Sequence, residues 1–357
     1  MEARSFEDVL EGWDGIGAVV RYDRPSGTWI FVALHDDTRG RPVGGCRMKV
    51  YETPAAGLLD ATRLARGMTH KWASIDFDFG GGKAVLAVPH PMEGEARAGL
   101  LRRFGRFLNT LQGAYATGED MGTTPEDMRV IAGETEWVMG VSRDDPEPPA
   151  DPGPFTALGV LAGIEAAMAH LDGGAGLEGT SVLIQGAGDV GAPLARLLAD
   201  AGARVLVADL DEERAAAVAG EVGGEVVAPE AVYATECHVF APCAVGAVLN
   251  RSTIPLLRCR IVAGSANNQL EEDEDAERLQ ERGILYAPDY VVNAGGAMAF
   301  GLINKGLTAR EEIEARVRRL GESLTEIFAE ADRGEETPLA AARRKVEAML
   351  AGASGAG

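Results

Sequence analysis

A two-domain α/β protein is what this sequence predicts, and three observations predict it. A chain of 357 residues is longer than one hydrophobic core usually supports. Its second half opens a strand–turn–helix rhythm with "SVLIQGAGDVGAPLARLLADAGARVLVADLD" over 181–211. Short apolar runs at 237–241, 260–263 and 284–286 continue that rhythm as a parallel sheet does. Between the halves lies "SRDDPEPPADPGP" (142–154), the most Pro- and Asp-rich stretch, which reads as a boundary. The domains are accordingly 1–147 and 148–329.

The elements follow in order. Residues 18–35 run apolar around a Pro-Ser-Gly turn and read as a hairpin. From Ala55 to Met68 the period changes to three and four, with Leu58, Ala61, Leu64, Ala65 and Met68 on one face of a helix that also brings Met68 and Lys71 together. "KAVLAV" (83–88) is a short buried strand, entered through "FGGG" (79–82) as a loop. A helix covers about 96–111. "TTPEDM" (123–128) starts another, with Thr124 as N-cap and Pro125 at the first helical position. Past the boundary a helix spans about 155–170. From Thr308 the chain reads as helical, Thr308 and Glu311 forming a capping box and Ile313, Val317, Leu320 and Leu324 an apolar stripe. Only the "GASGAG" tail reads as disordered.

Composition narrows the function. Hydrophobic residues at 46% and charged residues at 25% are ordinary for a globular chain. A net charge of −21 argues against nucleic acid or an anionic membrane as the main partner, since phosphates select clustered Lys and Arg. Cys46, Cys237, Cys243 and Cys259 form no C-x-x-C pair, and Cys237, His238 and Cys243 match no zinc spacing. No metal is expected, and the thiols read as buried and reduced. An acidic N-terminus and the lack of an 18-residue apolar run point to a cytoplasmic protein.

Two stretches carry chemistry. Gly186-Ala187-Gly188-Asp189-Val190-Gly191 is G-x-G-x-x-G between a strand and a helix, and a second strand ends in Asp209 about 20 residues on, as a dinucleotide fingerprint requires. The glycines let backbone approach a pyrophosphate at the helix N-terminus. Asp209 would accept from ribose hydroxyls and repel a 2′-phosphate, which favours NAD over NADP. "FGGGKAV" (79–85), by contrast, is no P-loop: Phe77 stands at the first glycine position and Ala84 follows Lys83, leaving no hydroxyl for magnesium. Lys71 and Lys83 lie twelve apart, and Asp120 precedes the capped helix.

These segments, with "VGGCRM" (43–48), "APCAVGAVLN" (241–250), "IVAGSANNQL" (261–270) and "YAPDYVVNAGGAM" (286–298), resemble the glutamate/leucine/phenylalanine/valine dehydrogenase family, and its leucine/phenylalanine/valine branch in particular. The resemblance runs in order from about residue 18 to beyond 300. It implies a first domain for substrate and oligomerisation, a Rossmann-like NAD domain, a cleft between them, and last helices (about 330–357) that pack back on the first domain. It implies reversible oxidative deamination of an L-amino acid to a 2-oxo acid and ammonia, in a homo-oligomer. Lys71 resembles the lysine that holds the substrate carboxylate, Lys83 the general base, and Asp120 the carboxylate trading protons with the substrate amine. Crowding of the two lysines should depress a pKa. Gly44, Gly45 and Asn267 would fix amino acid or nicotinamide, while Thr156, Ala241 and Asn293 join the cofactor side.

Val43 and Phe300 replace the lysine and serine with which glutamate dehydrogenases bind the γ-carboxylate, and a carboxylate buried there would cost several kcal/mol. Glutamate dehydrogenase is therefore the disfavoured alternative; a catalytically silent NAD sensor is another. The pocket wall reads as Val43, Met68, Gly118, Ala297 and Phe300. Gly118 and Ala297 look phenylalanine-type, so an aromatic or large aliphatic substrate is expected. Asp76 and Asp78 depart from the family and are expected on the outer face.

Overall fold

The computed structural model describes residues 5–141, 151–174 and 176–354. The first nine residues of the boundary stretch (142–150), the 147/148 division and the end of the glycine-rich tail lie outside these. The chain divides into two units, Met1–Ala150 with Ala348–Gly357, and Asp151–Glu347.

The first unit runs α1 (Phe6–Glu11), β1 (Gly17–Asp23), β2 (Thr28–Asp36), β3 (Pro42–Lys49), α2 (Pro54–Ser74), β4 (Gly80–Ala87), α3 (Gly94–Thr110), β5 (Ala116–Glu119) and α4 (Pro125–Ala132). The five strands form one sheet in the order β1-β2-β4-β3-β5. β1 and β2 are the expected hairpin, β2 pairs antiparallel with β4, and β4, β3 and β5 are parallel. Strand alternation sorts the core to both faces. Ile30, Val32, Cys46, Ala84 and Leu86 meet Leu100, Leu101, Phe104 and Leu108 of α3 and Ile131 of α4. Phe31, Ala33, Val85 and Ala87 meet Leu58, Ala61 and Ala65 of α2. β4 is therefore buried along its whole length.

That corrects one expectation. Gly80, Gly81 and Gly82 are not a loop feeding a strand but the first three residues of β4 itself, paired to β3 and β2. Close packing demands them. A Cβ on Gly81 would strike Thr69 and the Ala65 carbonyl of α2, and one on Gly82 would lie 2.8 Å from the Tyr115 ring on the opposite face. α2 lies flat on the sheet because bare backbone lets it.

The second unit runs α5 (Pro152–Asp172), β6 (Ser181–Gln185), α6 (Gly191–Asp200), β7 (Arg204–Ala208), α7 (Glu212–Val222), β8 (Glu225–Val226), β9 (Val239–Pro242), β10 (Ile261–Val262), α8 (Asp275–Glu281), β11 (Leu285–Tyr286), α9 (Asp289–Val292), α10 (Gly295–Asn304), α11 (Arg310–Arg318), α12 (Leu320–Gly334) and α13 (Pro338–Ser354). Its parallel sheet has the order β8-β7-β6-β9-β10-β11, the doubly wound arrangement whose strand order reverses between β6 and β9.

One further expectation is corrected and another is met in part. Thr308 and Glu311 form no capping box: α11 starts after Ala309, without a side-chain cap, because α10 closes through Leu307 N–H to Leu302 C=O and leaves Thr308 in the link. The second unit extends to Glu347 and the first takes Ala348–Gly357, so the end of α13 groups with the first unit while α12 and the start of α13 group with the second. Leu320, Leu324, Ile327 and Phe328 are buried there and α12 packs along α5. α5 itself is long and apolar enough to cross a membrane by length and composition, with 67% of its most apolar window buried. Glu165 interrupts it, so it holds no 18 consecutive apolar residues, as expected.

Candidate active site

Parallel pairing of β3 with β4 and β5 decides which side chains meet. The register sets Cys46 beside Ala84 and Gly45 beside Gly118, so the α2-facing positions are Lys83 on β4 and Gly45 and Arg47 on β3. Asp120 follows the end of β5. Lys83 Nζ lies 2.7 Å from Asp120 Oδ1, and Arg47 Nε donates to Asp120 Oδ2 at 2.7 Å. Gly45 is the gap through which the lysine reaches: a Cβ there would sit 3.2 Å from Lys83 Nζ and 2.7 Å from Asp120 Cβ. Thr123 steadies the acid. Its hydroxyl donates to the Cys46 carbonyl at 2.9 Å and accepts from the Asp120 N–H at 3.0 Å, just before the predicted N-cap Thr124, which forms a capping box with Asp127.

Behind the pair the charges alternate. Arg47 Nη1 donates to Asp60 Oδ2 on α2 at 3.0 Å, and the Tyr51 hydroxyl donates to the same oxygen at 2.5 Å. Lys83 is 3% exposed. Burial pushes its pKa down, the Asp120 carboxylate pulls it back up, and the Arg47 guanidinium pushes it down again; the result lies below the ordinary lysine value. Burial alone would raise the Asp120 carboxyl, but Lys83 and Arg47 together hold it down to about 2.

Sequence reasoning expected Lys71 to be the cation crowding Lys83. The cation that depresses Lys83 is Arg47, because β3 is the neighbouring strand and Arg47 shares its face. Arg47, Asp60 and Tyr51 were missed. The usable signal was the spacing in "VGGCRM", which puts Gly45 and Arg47 on one side of a strand. Lys71 is half-buried in the last turn of α2 with Met68 one turn before it. Val43 is buried, its carbonyl accepting the Trp72 indole N–H at 2.9 Å, and the Gly44 carbonyl accepts the Tyr115 hydroxyl at 2.7 Å. Gly118 is buried in β5. Asp76 and Asp78 face outward as expected, 78% and 77% exposed and paired with Arg39, so they do not compete for Lys83.

In the second unit the glycine turn joins β6 to α6. Gly186 has φ +105°, and a Cβ on Gly191 would collide with the Gly186 carbonyl. Ala187 N–H donates to Asp209 Oδ2 at 2.8 Å, bracing the loop with the acid at the end of β7. Gly188 is bare, with open space where a Cβ would be; Asp189 is exposed and Val190 opens the helix. Thr156 bonds back to the Pro152 carbonyl and Ala241 is buried in β9. Asn293 donates to Asn267 Oδ1 at 2.9 Å and to the Ser265 carbonyl at 3.1 Å. Asn293 Oδ1 and Gln185 Oε1 are buried acceptors without a partner among the described residues. Unanswered acceptors, a bare turn and a helix N-terminus together fit a dinucleotide. On α10, Ala297 is half-buried and Phe300 buried.

Among the described residues no cluster of His, Cys, Asp and Glu could hold a metal. Cys46 and Cys237 are buried, whereas Cys243 and Cys259 are only half-buried. Burial raises each of the four thiols.

Comparison with known proteins agrees with this picture. The model of the Glu/Leu/Phe/Val dehydrogenase dimerisation domain matches residues 26–137, and that of the Glutamate/Leucine/Phenylalanine/Valine dehydrogenase domain matches 207–342. Leucine dehydrogenase of Geobacillus stearothermophilus is 40% identical over 96% of this chain and 92% of its own. Phenylalanine dehydrogenase of Bacillus thermotolerans is 38% identical over 92% and 86%. The crystal structure of L-tryptophan dehydrogenase from Nostoc punctiforme superposes with a TM-score of 0.78 at 36% identity, covering 98% of this chain and 99% of that one.

Proposed function

The chain belongs to the glutamate/leucine/phenylalanine/valine dehydrogenase family, an oxidoreductase that oxidatively deaminates apolar L-amino acids, and from that premise we propose NAD as its cofactor and Lys83 as its base. The observation that carries the proposal is the buried Lys83–Asp120 pair, 2.7 Å apart. Bound NAD supplies the hydride acceptor. Gly186, Gly188 and Gly191 offer it a close approach, and Asp209 favours ribose hydroxyls over a 2′-phosphate.

The first unit's residues divide the remaining work. Lys71 holds the substrate carboxylate as a permanent cation. Lys83, disposed by burial to lose its proton, takes one from the water that adds to the substrate's C=N bond. Asp120, ionised at the outset, takes a proton from the substrate amine, returns it to the nitrogen of the carbinolamine, and takes up the hydroxyl proton as ammonia leaves and the 2-oxo acid forms. In the first unit Val43, Met68 and Gly118, and in the second Ala297 and Phe300, are apolar or bare residue types at the positions the family resemblance points to, which supports an aromatic or large aliphatic side chain and disfavours glutamate. The description of the first matched region as a dimerisation domain supports a homo-oligomer.

The test is a panel of L-amino acids with NAD and, separately, NADP at alkaline pH, read by nicotinamide absorbance. Turnover of phenylalanine, tryptophan or leucine with NAD, and little with glutamate, is expected. Turnover of glutamate alone would reject the apolar pocket, and silence throughout would leave a dinucleotide-binding sensor.

A further inference from the structure

Lys83 and Asp120 do not stand alone, because a third ionised group fixes how the carboxylate is shared. Each Asp120 oxygen has its own cation: Oδ1 has Lys83 Nζ at 2.7 Å and Oδ2 has Arg47 Nε at 2.7 Å. The guanidinium is gripped from behind, since Nη1 reaches Asp60 Oδ2 at 3.0 Å and that oxygen also takes the Tyr51 hydroxyl. The Arg47 and Asp60 side chains are 10% and 23% exposed, so neither is a solvated surface charge. Arginine keeps its proton throughout the working range of an enzyme.

We infer that Arg47 is a positioning residue for the reaction: clamped between Asp60 and Asp120, it reserves Asp120 Oδ2 and leaves Oδ1, on the Lys83 side, to trade the proton. The inference rests on the reading of Lys83 as the base. Its chemistry is that of a carboxylate with two equivalent oxygens made to act through one. Were Oδ2 unclaimed, the carboxylate could rotate and the lysine would lose a fixed partner. Arg47 also sets the charge balance around Lys83. The charged groups acting on that amine are Asp120 beyond β5, Arg47 on β3 and Asp60 on α2, whereas Cys46 and Tyr115 lie in the core on the other face of the sheet. Arg47 opposes the protonated amine, whereas Asp120 and Asp60 favour it.

Substitutions of opposite sign give the test. The full-length enzyme and its Arg47→Met, Arg47→Lys, Asp60→Asn and Lys83→Ala variants are compared by kcat/KM against pH, with NADH binding and circular dichroism as checks on folding. Arg47→Met should move the rising, acid-side limb of the profile to higher pH by about half a pH unit or more, because a cation near Lys83 is gone. It should lower kcat roughly 10–100-fold, as loss of a supporting partner does, and leave KM for NAD within about threefold. Asp60→Asn should move the limb the other way, an anion having been lost. Arg47→Lys should return the limb to its wild-type position while leaving kcat reduced, because a point charge replaces the planar fork.

A limb that stays put in both Arg47→Met and Asp60→Asn, or moves the same way in both, overturns the inference whatever the loss of rate. Should Arg47→Met fail to fold, Arg47→Lys and Asp60→Asn decide: an unmoved limb in Asp60→Asn, or a displaced one in Arg47→Lys, rejects it. Lys83→Ala separates the two layers. An active Lys83→Ala enzyme refutes the base itself, whereas an inactive one with unmoved limbs elsewhere refutes only the role of Arg47.

Discussion

A lysine on the middle strand of a sheet, 3% exposed, is costly unless its charge is matched. Lys83 is matched by a carboxylate and opposed by a guanidinium, an arrangement that serves a group required to shed and regain a proton. Lys83→Ala should therefore cut turnover by about 10²–10⁴-fold, the usual worth of a positioned base. NADH binding should change little, because the glycine turn, Asp209 and Asn293 all belong to the other unit. Fluorescence titration of NADH beside steady-state kinetics checks both halves of that statement, and lost NADH binding with retained turnover would remove Lys83 from its role. The pH sense follows from the same geometry. The amine works when neutral, so kcat/KM should rise with pH and level off below the ordinary lysine value of 10.5, since burial brings the folded pKa down. The residues themselves were legible in the sequence as Lys83 and Asp120. Their connection through Arg47 was not, because three strands from separate parts of the chain supply the trio.

β4 is where local propensity and tertiary packing disagree. Three successive glycines lack the side chains that favour a strand and read as a loop. The fold makes them strand because α2 on one face and Tyr115 on the other leave no room for a Cβ. Gly82→Ala should destabilise the protein by about 1–3 kcal/mol, the cost of overpacking a filled site. The Tyr115 ring, buried and hydrogen-bonded to the Gly44 carbonyl, has little freedom to retreat. Chemical denaturation reads the loss, and a midpoint equal to wild type would mean that the strand can shift to admit a methyl group. Caps repeat the lesson. "TTPEDM" predicted its helix start because Thr124 and Pro125 are adjacent and self-sufficient, and Asp127 completes the cap within the same turn. Thr308 and Glu311 had equally suitable residue types, yet the closing turn of α10 displaced the helix start past them.

For the whole molecule, the order of elements was readable because each strand or helix carries its own periodicity. The assignment of the last helices was not, since it depends on which apolar stripe α12 meets. Charge is the property that belongs to the molecule as a whole. A net charge of −21 sits beside carboxylates that the fold holds ionised. Burial would raise the Asp23 carboxyl, but Arg103 at 2.8 and 2.7 Å and the Ser26 hydroxyl bring it below its ordinary value. A carboxyl with a depressed folded pKa contributes stability that is complete above its unfolded pKa and lost as pH falls through the folded one. Asp120, held down to about 2 by Lys83 and Arg47, contributes with the same sign. Stability should accordingly be insensitive to these groups above about pH 5 and fall between the ordinary carboxylate value and pH 2. Asp23 is the cleaner probe, being buried yet apart from the proposed chemistry. Asp23→Asn should be less stable than wild type at pH 7 and lose less on acidification, so the two curves of denaturation midpoint against pH converge as wild-type Asp23 takes up its proton. Parallel curves down to pH 2 would mean that the Asp23–Arg103 pair contributes nothing that protons can remove.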